Sequence, residues 1–130
     1  MRRINVTPLE KVGNITFGMG RDEVRNIINE PFTEFKKTKF SRNTTDDYGY
    51  CHVFYNSLNQ CEAIEFFIDE TVEIVVNNDF IISKEFSLLK KYITDMEEDN
   101  GVYISKANSM GISLTDGEIE TVLFAEKNYY

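Results

Sequence analysis

The 130-residue chain has no tryptophan, one histidine, two cysteines, two prolines and seven glycines. Each scarcity excludes something. So little proline and glycine rules out collagen-like and linker-like chains. With His52 as the single imidazole, any triad or histidine acid–base chemistry has to run through that residue. It falls among aromatics in an extended segment, where the plainer reading is a hydrogen-bonded structural side chain. Cys51 and Cys61 lie in segments that read as neighbouring strands and are expected as reduced core thiols. A redox or metal pair would sit closer in sequence, with further ligands nearby. No apolar run approaches the ~18 residues of a membrane span. Arg2 and Arg3 open the chain without the apolar stretch of a secretory leader behind them, so a cytoplasmic location is expected. Gly18-Met19-Gly20 lacks both the third glycine of a dinucleotide fingerprint and the lysine of a phosphate loop. The acidic runs Asp46-Asp47, Asp69-Glu70 and Glu97-Glu98-Asp99 lack the spacing of a calcium loop. No catalytic residue, cofactor or metal site is therefore expected.

Hydrophobic residues make up 42% of the chain and aromatics 13%, with ten Phe and seven Tyr. That is enough apolar material for one core, and residues 1–130 read as a single domain. Charge is unevenly spread. Residues 1–42 hold nine basic against five acidic groups, and residues 43–130 hold five against seventeen, for a net charge of −8. A field of that sign repels nucleic acid and anionic membranes and attracts cationic surfaces. The plainer reading of the same imbalance is solubility. The basic run from Lys36 to Arg42 reads as a solvated loop.

Val24, Ile27 and Ile28 share a helical face, with Asp22 and Glu23 at the positive end of the helix dipole. Gly20 serves as N-cap and Pro31 stops the helix. Residues 33–46 read as loop or irregular strand. Tyr48–Tyr55, Gln60–Ile68 and Thr71–Val76 read as three consecutive strands of a meander. Glu62 and Glu65 have opposite parity within one strand, which a bulge would reconcile. Ser83 is placed to cap a second helix with the stripe Phe86, Leu89, Ile93 and Met96, ending at Glu97-Glu98-Asp99. Asp116-Gly117 between apolar runs predicts a hairpin, and the last strand, apolar on both faces, belongs inside a sheet. The expected fold class is α+β: an antiparallel sheet of five or six strands with two helices packed on one face.

The segment Ile15-Thr16-Phe17-Gly18-Met19-Gly20-Arg21-Asp22-Glu23-Val24, followed by a helix and Glu30-Pro31, resembles the opening of BamE/SmpA-like and β-lactamase-inhibitor-like repeats. Those repeats leave the helix through Gly-x-Pro, and here Asn29 stands at the glycine. Residues 77–125, a helix and then strands, have the order that a degenerate second copy would leave. In size, acidity and aromatic-rich strands the chain resembles the immunity proteins of bacterial polymorphic toxins, including the contact-dependent growth inhibition type. That resemblance implies a non-enzymatic cytoplasmic protein that covers the active surface of a cognate, basic, nuclease-type toxin domain.

The partner-facing surface expected on this reading comprises Asp46, Asp47 and Tyr48, then Asp69 and Glu70, then Glu97, Glu98 and Asp99, with Asp116 and Glu118 at the hairpin tip. Carboxylates would steer a basic partner and aromatic side chains would anchor it. The alternatives are a BamE-like assembly domain, a carboxylate-based metal-binding domain or small enzyme, and self-association through Phe66, Phe67, Phe124, Tyr129 and Tyr130.

Overall fold

In the computed structural model, which describes residues 1–41 and 43–130, the chain is mostly β. Arg42, the last of the basic run, lies outside the described residues. The first half runs β1 (Arg2–Thr7), β2 (Lys11–Val12), β3 (Ile15–Thr16), α1 (Arg21–Ile28), β4 (Thr33–Phe35), β5 (Thr45–Asp47), β6 (Cys51–Tyr55) and β7 (Cys61–Phe67). The second half runs β8 (Val72–Val76), β9 (Phe80–Ile82), α2 (Phe86–Tyr92), β10 (Glu97–Asp99), β11 (Val102–Ser105), β12 (Met110–Thr115) and β13 (Glu118–Ala125). These strands form a five-stranded sheet in the order β3-β2-β1-β8-β9 and an eight-stranded sheet in the order β10-β11-β12-β13-β7-β6-β5-β4.

The expected α+β sheet of five or six strands is thus overturned. Two sheets hold thirteen strands, and the helices span only 8 and 7 residues. The reason is strand length. Strands of two or three residues, such as β4, β5 and β10, are too short to display an alternation. The expected three-strand meander is also corrected. After β7 the chain leaves the large sheet, and β8 lies parallel to β1, with Ile4 beside Ile74 and Val6 beside Val76. Ser83 does not cap α2. Its Oγ accepts the Glu85 N–H, and the helix begins at Phe86 behind an extended Glu85. Glu97-Glu98-Asp99 forms β10 rather than a helix end, folded back on β11 through Asn100 and Gly101 at φ 51° and 84°. Two consecutive positive φ values are the signature of a tight hairpin turn, and Asn-Gly is its preferred pair. The Asp116-Gly117 hairpin forms as expected, with the same backbone signs.

Element order in the second half parallels that in the first: strands (three in the first half, two in the second), a helix, then four strands in a meander. The two meanders join where β13 lies antiparallel to β7, so the large sheet reads symmetrically outward from its centre. β13 is interior, as its two apolar faces require. The expected bulge lies at Glu62: Phe54 faces Ala63 while Tyr55 faces Cys61. α1 starts behind Gly20 and ends on Asn29 in the left-handed region, φ 50°, a conformation that asparagine adopts more readily than most residues.

One main core cluster lies between the inner face of the large sheet and the layer formed by the small sheet and both helices. It contains Ile64, Phe66, Val122 and Phe124 from the large sheet, Val6, Ile74 and Val76 from the small one, and Val24 and Leu89 from the helices. Cys51 and Cys61 are free, buried members of this core, and burial pushes both thiols up to about 12. An unfolded thiol ionises near pH 9, whereas these hold their protons to about 12. Over that interval the native state binds more protons than the unfolded one, so stability falls as pH rises through it. Urea denaturation midpoints should decline above pH 9, and a thiol-reactive chromophore at pH 8 should label neither cysteine until the chain unfolds.

Candidate functional site

With its inner face in the core, the eight-stranded sheet turns its other face outward. Register assigns the residues. Glu97, Ile104, Gly111, Leu123, Glu65, His52, Asp47 and Thr33 stand side by side as one row across all eight strands. A second row, on the same face, carries Asp99, Val102, Ser113, Thr121 and Phe67. A third carries Ala125, Ala63, Phe54, Thr45 and Phe35. The outer face therefore combines the carboxylates of Asp47, Glu65, Glu97 and Asp99 with a band of aromatic rings.

His52 sits in the middle of that band. Its ring meets Phe35 at 5.1 Å and Phe67 at 5.2 Å, both edge-on, and its Nε2 lies 3.4 Å from Asp47 Oδ1. Glu65 accepts a hydrogen bond from the Thr121 hydroxyl at 3.3 Å, and Thr121 in turn meets the hydroxyl of Ser113. The C-terminus returns over this face. The rings of Tyr129 and Tyr130 pack edge to face at 5.2 Å, and Tyr129 rests on the small cluster of Phe54, Ala63, Leu123 and Ala125. Burial, aided by the nearby Glu62 and Glu65 carboxylates, raises the Tyr129 hydroxyl above its ordinary range. Burial and then Glu126 push the Glu62 carboxyl upward as well. Two hollows of about 370 Å³ each flank Tyr129 and share Lys37, whose Nζ lies 4.9 Å from the Phe54 ring centre. Gly111 matters here for its missing side chain. A Cβ at that position would lie 2.1 Å from the Tyr130 hydroxyl.

The residues expected at a partner surface separate by parity. Asp47 faces outward, but Asp46 faces inward and is fully buried. Its Oδ2 accepts from Arg25 Nε and its Oδ1 from Arg25 Nη2, both at 2.8 Å, while Arg21 Nη1 lies 3.5 Å from Oδ1. Arg25 also binds Glu34 and covers the Phe32 ring at 4.3 Å, and Arg21 lies over Tyr55 at 4.1 Å. Asp46 is thus a strut between α1 and the sheet, withdrawn from any partner. Tyr48 shares that side. Its hydroxyl is buried, its ring packs on Phe32, and desolvation pushes it up to about 12.

Glu97 and Asp99 join the outer face at its far edge, whereas Glu98 stands opposite Tyr103, level with inner-face residues. Asp69 and Glu70 occupy the turn after β7, where the Thr71 hydroxyl and N–H hold the Asp69 carboxyl below its usual range. Asp116 and Glu118 flank the hairpin tip and share a shallow hollow with Phe67 and Lys84. The ten residues therefore divide among the outer face, one end of the sheet and the interior. The proposed apolar patch divides too: Phe66 and Phe124 are core, and only Phe67, Tyr129 and Tyr130 reach the outer face. No group of three His, Cys, Asp or Glu side chains is placed to hold a metal ion among the described residues.

Sequence reasoning missed Glu65, His52 and Phe67 as one surface, because their adjacency needs the β5–β6–β7 register. It also missed the role of the terminal tyrosines. The signal available was the period-two spacing of His52 and Phe54 against Glu65 and Phe67 on facing strands. Comparison of the chain with protein-family models, curated proteins and solved structures finds no match. No helix is long and apolar enough to cross a membrane among the described residues.

Two substitutions test the geometry. Arg25→Met leaves the Asp46 carboxylate buried without its two-point partner and should cost about 3–5 kcal/mol in urea denaturation. Adding Asp46→Asn to that variant should recover part of the loss. Gly111→Ala should displace Tyr130 while lowering stability by about 1 kcal/mol or less. The readout is a change in the ring resonances of Tyr129 and Tyr130 with the remaining spectrum preserved.

Proposed function

We propose that this chain is a binding protein without catalytic activity of its own, and that it neutralises a basic protein partner by covering it with the outer face of the eight-stranded sheet. The observation that carries this reading is the row Asp47, His52, Glu65, Gly111, Glu97 and its flanking rings: carboxylates and aromatics on one continuous face. Aromatic anchors inside an acidic surround suit a cationic protein surface, since rings supply contact area and carboxylates speed and orient the encounter. The net charge of −8 acts in the same direction over longer range. A toxin immunity protein in the cytoplasm is the specific form of this proposal, with nuclease-type toxins as the partner class. Strands position every group except Lys37 and the C-terminal tyrosines.

The experiment places a photo-crosslinking residue at Phe67 on the outer face, and in a second version at Leu88 on α2, inside the source cells. A basic protein trapped from Phe67 alone, whose toxicity the chain relieves on co-expression, is the expected result. Glu65→Lys should then slow association at least about tenfold, and raising salt from 50 to 300 mM should slow the unmodified pair similarly. Trapping from Leu88 instead, or association indifferent to salt and to Glu65→Lys, would reject the outer face as the docking surface.

A further inference from the structure

A recess lies on the other side of the large sheet, and the proposed partner surface makes no use of it. It is a cleft of about 570 Å³ between the two sheets and α1. Its floor is the core itself at Cys51, Ile64 and Phe66, and its walls include Val12, Ile15 and Ile28. Ile27, 39% exposed, stands at its edge. The volume lies within the range of small-molecule sites, and the lining joins apolar side chains at its base to a comparable share of polar groups.

The polar groups share one property. In a chain with twenty-two acidic residues, no carboxylate lines this cleft among the described residues. Its opening carries Asn5, Asn14 and Asn78 as neutral hydrogen-bonding groups, with Arg3 and Lys11 as cations. Arg3 is already paired with Glu73 at 3.1 Å. Lys11 is exposed and makes no ion pair among the described residues. A cleft with an apolar base and an ammonium without an ion-pair partner among its polar groups is complementary to a molecule with an apolar body and a single negative head.

We infer that the cleft binds an amphipathic monoanion, a medium-chain carboxylate whose tail lies against Ile15, Ile28 and Ile64 and whose head group meets Lys11. Each methylene added to the tail should tighten binding about three- to fourfold until the pit is filled. A neutral alcohol of equal length lacks the charge-assisted contact and should bind less well. This inference is independent of the outer face, from which the cleft is separated by the thickness of the sheet.

The test is a methyl spectrum of isoleucine-labelled full-length protein, titrated with decanoate below its micelle concentration and, in parallel, with decanol. Saturable shifts at Ile15, Ile28 and Ile64, with Ile81 and Ile119 unmoved, are expected. Lys11→Gln should weaken decanoate about fivefold or more and leave decanol unchanged. Ile27→Glu, a change at an already exposed edge, should weaken decanoate without unfolding the chain. Shifts that grow linearly without saturation, or that extend equally to Ile81, would overturn the site. Equal affinity for decanoate and decanol, or no response to Lys11→Gln, would overturn the anionic head. The crosslinking outcome at Phe67 bears on neither result.

Discussion

A buried carboxylate holds this fold in register. Asp46 has no exposed surface and meets Arg25 through two hydrogen bonds, with Arg21 close by. A strand that slipped by one residue would bury Asp47 in its place and carry Asp46 away from the guanidinium groups. The arginines are fixed from their side by the spacing of α1, four residues and one helical turn apart. The ion pair thus ties the helix to a three-residue strand that has little else to define it. Such a pair adds little stability over a well-packed apolar alternative, but breaking it is costly, which is how a buried charge specifies one arrangement. Everything on the outer face inherits this choice, because Asp47, His52 and Glu65 are level with one another only in the observed register.

Joining two meanders at β7 and β13 makes a sheet wide enough for a division of labour. Its inner face is closed by the small sheet and both helices, so large side chains such as Phe66 and Phe124 are wholly committed to packing. Its outer face has no such cover except the returning C-terminus. Polar and aromatic residues alternate with core residues along the same strands: Glu65 between Ile64 and Phe66 is one case, and Thr121 beside Val122 another. The scaffold and the surface are therefore written in the same short stretches of sequence.

What the sequence disclosed follows from signal length. The helix at Val24, Ile27 and Ile28, the long strands β6, β7 and β13, and the Asp116-Gly117 hairpin each carry enough residues, or a special enough turn, to be read without tertiary context. The Glu62 bulge was legible from parity alone. Strands of two or three residues were not, and neither was the parallel pairing of β1 with β8, which joins segments seventy positions apart. Asn100-Gly101 did carry a turn signal, but three preceding carboxylates suggested a solvated helix end. At the surface, counting acidic residues found Asp47, Glu97 and Asp99 but could not separate Asp46 from Asp47. Only pairing decides which of two adjacent aspartates meets solvent. Glu65 and His52 were read only within their own strands, because their adjacency depends on pairing.

The flanks of the large sheet have a consequence beyond recognition. An uncovered strand offers unpaired amides to any passing chain, and wide sheets risk growing into fibres by that route. Here the sheet terminates in β4 and β10, each three residues long, and β10 is Glu-Glu-Asp throughout. An incoming strand would find few amides to pair with and, at β10, three negative charges in a row. Accretion is discouraged at both margins, so the wide sheet can leave one face without a second layer while it resists self-assembly through these edges.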